Sequence, residues 1–386
     1  MPYFSFSIKR VINIFKNKNI TLNKKYYSKD IKIYNSLKSK NISNSVNFVK
    51  FEKRIECNKL GFKILFCLPP NIGLGDIIEY GSAVNNIKRS NKFENVSVAF
   101  SGKNSFILKN FFHIDNIYPD VVSEDDFLNF DNVFHLTLQI QKLKQQKYLR
   151  SDIANEICKY FGVLNHKTIL KNKHNYIKKI NKISIFPIST SPLRSMSVNL
   201  LNNLIKNLSK KYEIEILLYD KSNISQYIKS RIINDKYKIV DPPNVKSLIS
   251  YIKKIQYGIF VDSGPLHVAK IFSKLGSFIE TSVSHKVLLK NYNSINTINN
   301  KYYSKYCTAP CGLIDIFSYN NSNGCYDTLK LKKKNILDLK NFNSLQRGSV
   351  KNNLINYLFQ PVGCVKYLES EKAIYQINNH LSKIIL

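Results

Sequence analysis

The chain has 386 residues, and its 59 lysines and arginines outnumber 26 aspartates and glutamates for a formal charge of +33. That length suits two domains of roughly 100–200 residues each, and a 44% hydrophobic content supports buried cores, which excludes a chain disordered throughout. No apolar run reaches the roughly 18–20 residues that cross a bilayer as a helix, so an integral membrane protein is excluded as well. Only Arg10, Arg54, Arg89, Arg150, Arg194, Arg231 and Arg347 are arginines; the remaining basic residues are lysines spread over the whole length. Guanidinium is the better fork for phosphates and guanine edges. The charge therefore reads as a compositional habit, and a nucleic-acid partner is not expected.

In chain order, the first residues place Phe4, Ile8, Val11, Ile12 and Phe15 on one helical face and Lys9, Arg10, Asn13, Lys16 and Asn17 on the other. Such a basic amphipathic helix can lie on an anionic membrane or pack on the body of the protein. It is not a secretory signal, because Lys9 and Arg10 interrupt any apolar core. Residues 20–60 read as a linker or irregular extension. Order begins at Phe62–Pro69, a buried strand, followed by a glycine-containing loop and a helix over 76–88. Strands near 97–100 and 130–136 alternate with helices near 103–112 and 151–162. A polar stretch over 165–182 reads as an interdomain connection.

The alternation then restarts. Strands are predicted at 183–187, 213–220, 238–241, 257–262 and 277–281, with helices over 197–211, 224–233, 244–255 and 266–273. Residues 284–330 read as irregular, and 365–385 as one long helix. Alternation at this spacing implies βαβ units, and hence an α/β fold of two Rossmann-like halves with parallel sheets. The expected boundaries are a basic extension over 1–60, a first domain over 61–175, a second over 181–345 and a C-terminal helical segment over 346–386.

Seven cysteines form no paired framework, although Cys307, Cys311 and Cys325 cluster as C-x3-C-x13-C. Three thiols without a histidine among them read as loop residues, so no metal is expected.

Three segments stand at the C-terminal ends of predicted strands, where open α/β sheets bind ligands. The first, Asn71-Ile-Gly73-Leu-Gly75-Asp76, lacks the third glycine of a dinucleotide fingerprint, since Ile78 takes that place. Asp76 at the start of a helix serves either as an N-cap or as a general base. The second, ISTSPLRSMS, offers hydroxyls and Arg194, a rare guanidinium in a lysine-rich chain and suited to bidentate contact with an anion. The third, Asp262-Ser263-Gly264-Pro265-Leu266-His267, opens a helix whose N–H groups suit a diphosphate. There Gly264 permits close approach, Pro265 suits the first turn, and His267 either donates to a phosphate or is an ordinary helix histidine.

Together GLGDIIEYGSAV, PISTSPLRSMS and DSGPLHVA resemble the ADP-heptose:lipopolysaccharide heptosyltransferase family, glycosyltransferase family nine. The resemblance spans roughly residues 62–345 and is most specific in the last motif. It implies a GT-B fold, two Rossmann-like domains facing across a cleft, with the acceptor on the first and the nucleotide sugar on the second. By that resemblance Asp76 is the base that takes the acceptor's proton, and Gly73 and Gly75 form the acceptor-side loop. Ser189, Thr190 and Arg194 face the diphosphate. Asp262, Ser263, Gly264 and His267 form the phosphate-binding turn, and Asp220 contacts the nucleotide.

Two features depart from the family. Arg194 stands where lysine is more usual, and FIETSVSHKVLLKNYNS replaces a glycine- and proline-rich sugar-contacting segment. The expected activity is inverting, metal-independent transfer of a heptose-like sugar from a nucleotide diphosphate sugar to a lipopolysaccharide-type or other glycan acceptor. No cofactor is expected. The expected location is the cytoplasm, peripheral on the inner face of the membrane. The alternative is a non-catalytic basic Rossmann-like protein that binds nucleic acid or another anionic polymer.

Overall fold

The computed structural model describes residues 25–28, 47–49, 62–68, 72–119, 121–123, 129–136, 152–166, 168–170, 179–189, 191–220, 222–233, 235–290, 292–304, 308–311, 361, 363–369 and 371–385. The amphipathic segment over 4–17, Thr190, Cys307 and Cys325 lie outside these residues. The chain forms two compact units, one of Met1–Lys144 with Ile153–His166 and the other of Gln145–Asp152 with Lys167–Leu386.

In the first unit, β1 (Lys25–Ser28), β2 (Asn47–Val49), β3 (Phe62–Cys67), α1 (Leu74–Arg89), β4 (Phe93–Ala99) and α2 (Ser105–Phe112) come first. They are followed by β5 (Ile117–Tyr118), β6 (Val121–Ser123), β7 (Asn132–His135) and α3 (Ile153–Tyr160). The main sheet runs β5-β4-β3-β7 with every pairing parallel. The central strand is a continuous apolar run because both of its faces are covered: Ile64, Leu65 and Phe66 are fully buried. Phe66, Phe134 and Phe161 meet edge to face beside it, with centroids 5.3 Å apart for Phe66–Phe161 and 4.9 Å for Phe134–Phe161. Helix α1 packs against α2 and α3. Its closeness to α2 depends on Gly81, where a β-carbon would run into the Phe112 ring.

A second sheet, β2-β1-β6, corrects the reading of 20–60 as linker. Strands of three and four residues with mixed composition carry too little periodicity to be seen in advance.

In the second unit the order is β8 (Lys182–Phe186), α4 (Val198–Leu208), β9 (Glu213–Leu217), α5 (Asn223–Lys229), β10 (Lys238–Val240), α6 (Val245–Lys254), β11 (Tyr257–Phe260), α7 (Gly264–Ile271) and β12 (Gly276–Ile279). Then come α8 (His285–Leu288), β13 (Ile295–Ile298), the pair β14 (Tyr302–Tyr303) and β15 (Thr308–Ala309), α9 (Gly363–Tyr367) and α10 (Glu371–Ile385). The six-stranded sheet is β10-β9-β8-β11-β12-β13, again all parallel. By order of appearance this is 3-2-1-4-5-6, the doubly wound arrangement whose direction of winding reverses between its first and fourth strands. Helix α8 and strand β13 correct the reading of 284–330 as irregular over 285–298, since Ile295 and Ile298 close the sheet's edge while buried.

Two glycines face each other across the middle of this sheet. Gly258 pairs with Gly276, and a β-carbon on either would strike the Phe260 ring. That ring stacks on Phe186 with centroids 4.7 Å apart, directly below the winding reversal. The predicted C-terminal helix is two helices. Ala373, Ile377 and Leu381 of α10 recur at helical spacing and are buried in the core built on Ile183, Ile185 and Leu201. Tyr257, fully buried, places its hydroxyl 2.7 Å from His380 Nδ1 of α10 and 2.6 Å from Ser277 Oγ. Among the described residues, no helix is long and apolar enough to cross a membrane.

Candidate functional site

The winding reversal of the second sheet lies between β8 and β11, which pair in parallel through Ile185↔Ile259 and Phe186↔Phe260. Each strand ends there in a loop that opens a helix. After β8 the chain turns through a short 3-10 segment, Pro192–Arg194, and enters α4 under an N-cap at Ser197, whose hydroxyl accepts from Leu200 N–H at 3.1 Å. Ser195 knits the loop: its hydroxyl accepts from Ser189 N–H at 3.0 Å and donates to Ser191 O at 2.9 Å. The serine-rich composition that suggests an anion cradle is thus largely used within the loop itself.

Two side chains of that loop reach the neighbouring strand's end. Ser189 Oγ donates to the Asp262 main-chain oxygen at 2.7 Å. Arg194 Nη1 donates to the same oxygen at 3.2 Å and to Asp262 Oδ2 at 3.0 Å. Ser189, Arg194 and Asp262 therefore form one cluster. Asp262 precedes Ser263, the N-cap of α7. Ser263 turns its hydroxyl back to Val261 O at 3.2 Å, so no side chain caps the helix. Gly264 is the first residue of α7 and Pro265 the second. An uncapped helix start on a glycine, beside a guanidinium, is the local arrangement that receives an anion. His267 sits one turn in and is buried.

Asp220 does not join this cluster. It follows β9, on the side of β8 away from β11, with 70% of its side chain exposed. Its N–H donates to Asp241 Oδ2 at 3.1 Å, and Lys229 Nζ lies 3.9 Å from its carboxylate.

In the first unit the strand order 3-2-1-4 puts the reversal between β3 and β7, and α1 leaves β3 at that point. The N-cap of α1 is Gly73, not Asp76; Gly75 is the second helical residue and Asp76 the third. Asp76 is half-buried and, among the described residues, its carboxylate accepts no hydrogen bond and makes no ion pair. One turn on, buried Tyr80 has its phenol held well above the usual tyrosine range, by burial first and by the Asp76 charge second. A carboxylate not committed to capping keeps its lone pairs for a ligand.

One arrangement was not legible beforehand. Beyond β12, Glu280 is buried and accepts from both the backbone N–H of His285 at 2.8 Å and its Nδ1 at 2.7 Å. Five residues separate the partners, and they straddle the end of a strand and the start of a helix, so no periodicity pairs them.

No family model matches the chain, and no curated protein matches it in sequence. Solved structures do match in fold. The dodecameric, iron-containing glycosyltransferase TibC from enterotoxigenic E. coli is 12% identical, with a TM-score of 0.53 over 85% of this chain and 78% of that one. The likeness to TibC shows the fold. That fold, two Rossmann-like units with parallel sheets, is the one on which GT-B glycosyltransferases are built. A glycosyl transferase of family nine from Veillonella parvula is 11% identical, with a TM-score of 0.45 over 62% of this chain and 86% of that one. The E. coli heptosyltransferase WaaC, solved with ADP, is 8% identical, with a TM-score of 0.43 over 61% of this chain and 92% of that one.

Proposed function

We propose that this chain is a glycosyltransferase that moves a sugar from a nucleoside diphosphate sugar to an acceptor hydroxyl, with inversion at the anomeric carbon. The observation that carries the reading is the cluster at the winding reversal of the second sheet. Arg194, the Asp262 it holds and the uncapped start of α7 come together where doubly wound sheets bind nucleotides.

In the proposed reaction Asp76 takes the proton of the acceptor hydroxyl as its oxygen attacks the anomeric carbon. The bond from that carbon to the diphosphate breaks, and its electron pair leaves with the diphosphate. The N–H groups at the start of α7 and the guanidinium of Arg194 oppose the charge that grows there, the interaction that lowers the barrier most. Asp76's freedom from capping supports its role as base.

The DSGPLHVA and GLGD motifs support a heptose-like donor sugar and a glycan or glycolipid acceptor. The basic amphipathic sequence over 4–17 supports work beside an anionic membrane surface on the cytoplasmic side. TibC is described as iron-containing. Among the described residues of this chain, no group of three His, Cys, Asp or Glu side chains is arranged to hold a metal ion.

The test is Asp76→Asn, assayed for sugar transfer and for nucleoside diphosphate binding. Loss of transfer with binding retained supports the scheme; unchanged turnover contradicts it.

A further inference from the structure

Among the described residues, Tyr80, Tyr257 and Tyr292 are the buried tyrosines. Tyr257 Oη lies 2.6 Å from Ser277 Oγ and 2.7 Å from His380 Nδ1, and Tyr292 Oη donates to Thr168 O at 3.5 Å. Tyr80 is only 3% exposed, yet among the described residues its hydroxyl makes no hydrogen bond. Other buried polar groups of α1 are engaged. Glu79 accepts from Ala154 N–H at 3.4 Å, and Asn86 Nδ2 donates to Ser82 O at 3.0 Å and to His166 O at 3.1 Å. A hydroxyl withdrawn from water and given no partner costs free energy, so it is rare in a folded protein and marks a place where a ligand completes the bonding.

Tyr80 stands four residues after Asp76, the spacing that makes helical side chains neighbours. Side chains on a helix lean toward its N-terminus, so the phenol ring lies over the turn that carries the carboxylate. The Asp76 charge acts on that phenol, as it does only between neighbours. On its other side, Asp76 Oδ2 lies 3.6 Å from where a β-carbon on Gly73 would stand, and the glycine leaves that approach open. Gly73 is exposed, Asp76 half-buried and Tyr80 buried, so the three descend from solvent along one face of α1. A carboxylate and a hydroxyl, both without partners among the described residues, meet there at the C-terminal end of β3.

We infer that the Tyr80 hydroxyl binds the acceptor at the hydroxyl beside the one that reacts, so that the acceptor is a sugar carrying two adjacent hydroxyls. The inference rests on the glycosyltransferase reading above and deepens it, naming the acceptor class and a specificity-determining residue. An ionised carboxylate only accepts, so the attacking hydroxyl, which gives up its proton, belongs to Asp76. A donor bonded to that same oxygen would hold the lone pair that attacks the anomeric carbon. Tyr80 therefore serves the neighbouring hydroxyl. Adjacent hydroxyls of one sugar ring are close enough to be held by two side chains a helical turn apart. A serine or threonine side chain brings one hydroxyl and leaves Tyr80 unpaired.

The experiment supplies the native chain with the nucleotide sugar it binds best and offers the methyl glycosides of mannose, glucose and galactose as acceptors. A peptide containing serine and threonine is the single-hydroxyl control. Transfer to at least one glycoside, and none to the peptide, is expected. Tyr80→Phe keeps the ring, and is expected to melt no lower than the native chain and to hold nucleoside diphosphate affinity within about twofold. Its KM for that glycoside is expected to rise about tenfold, the loss of one hydrogen bond. A deoxy glycoside lacking the hydroxyl beside the site of attachment is expected to show the same rise with the native chain and no further rise with Tyr80→Phe. An unchanged KM in the variant, or a deoxy penalty undiminished in it, overturns the inference. So does transfer to the peptide, or to none of the acceptors, by a chain that binds the nucleotide sugar. A variant that melts several degrees lower would show that the hydroxyl has a partner inside the fold, and would overturn it too. If the native chain binds no nucleotide sugar, the glycosyltransferase reading itself fails, a result distinct from failure of the acceptor assay.

Discussion

Arg194 Nη1 lies 3.0 Å from Asp262 Oδ2 and 3.2 Å from the Asp262 main-chain oxygen, so one nitrogen grips both the side chain and the backbone of the residue leading into α7. Only 13% of the arginine side chain and 8% of the aspartate side chain are exposed. A buried pair of this kind matters less for what it adds than for what its rupture leaves behind, an uncompensated charge away from water. Asp262→Ala is expected to lower unfolding free energy by about 3 kcal/mol in urea titration, and Asp262→Asn, which keeps an acceptor, by clearly less. A negligible loss in both variants would mean that the carboxylate does not hold the guanidinium.

Arg194→Lys keeps the charge but not the planar fork. A single ammonium cannot hold Asp262 and reach a diphosphate at once. Nucleoside diphosphate affinity is expected to fall about tenfold by calorimetry, a loss of roughly 1.4 kcal/mol. An unaltered dissociation constant would remove Arg194 from the phosphate site.

The facing glycines make a prediction about the sheet that carries the site. A methyl at Gly276 meets the Gly258 carbonyl, which belongs to the paired strand and cannot swing aside, as well as the Phe260 ring. Gly276→Ala is expected to destabilise by about 1–3 kcal/mol, the range for an overpacked core. A variant as stable as the native chain would show that β11 and β12 can separate at no cost.

Lys274 gives the molecule a pH dependence of known sign. Its side chain is buried, with Nζ donating to Lys253 O at 3.1 Å, and burial pushes the amine down to about 8. Between about pH 8 and the ordinary lysine value near 10.4, the unfolded chain binds the proton and the folded chain does not. Stability therefore rises with pH across that window, and Lys274→Met is expected to flatten the rise in a series of thermal melts. A melting temperature that falls from pH 8 to pH 10 in the native chain and not in the variant would reverse the assignment.

The sequence and the structure agree where the pattern is long and local. The apolar run of β3, the alternation from β8 to β12 and the D-S-G-P turn were all legible, because buried parallel strands and helix starts have their own composition. What escaped was short or distant. Strand β13 needs only four residues, with Ile295 and Ile298 buried against β12. The grip of Arg194 on Asp262 joins residues 68 positions apart, and only the strand order 3-2-1-4-5-6 makes them neighbours. For Asp76 the pattern leaves N-cap and base open, and only the helix start, where Gly73 occupies the cap, removes the first.

The proposed transfer requires the second unit to receive a nucleoside diphosphate. The most direct measurement is the melting temperature of the native chain against ADP, UDP, GDP and their sugars, since a ligand present at 100 times its dissociation constant adds about 2.7 kcal/mol to the folded state. At least one nucleotide is expected to raise the melting temperature by several degrees, and Gly264→Val, which crowds the start of α7, is expected to lose that response while remaining folded. A native chain whose melting temperature responds to none of them would contradict the account.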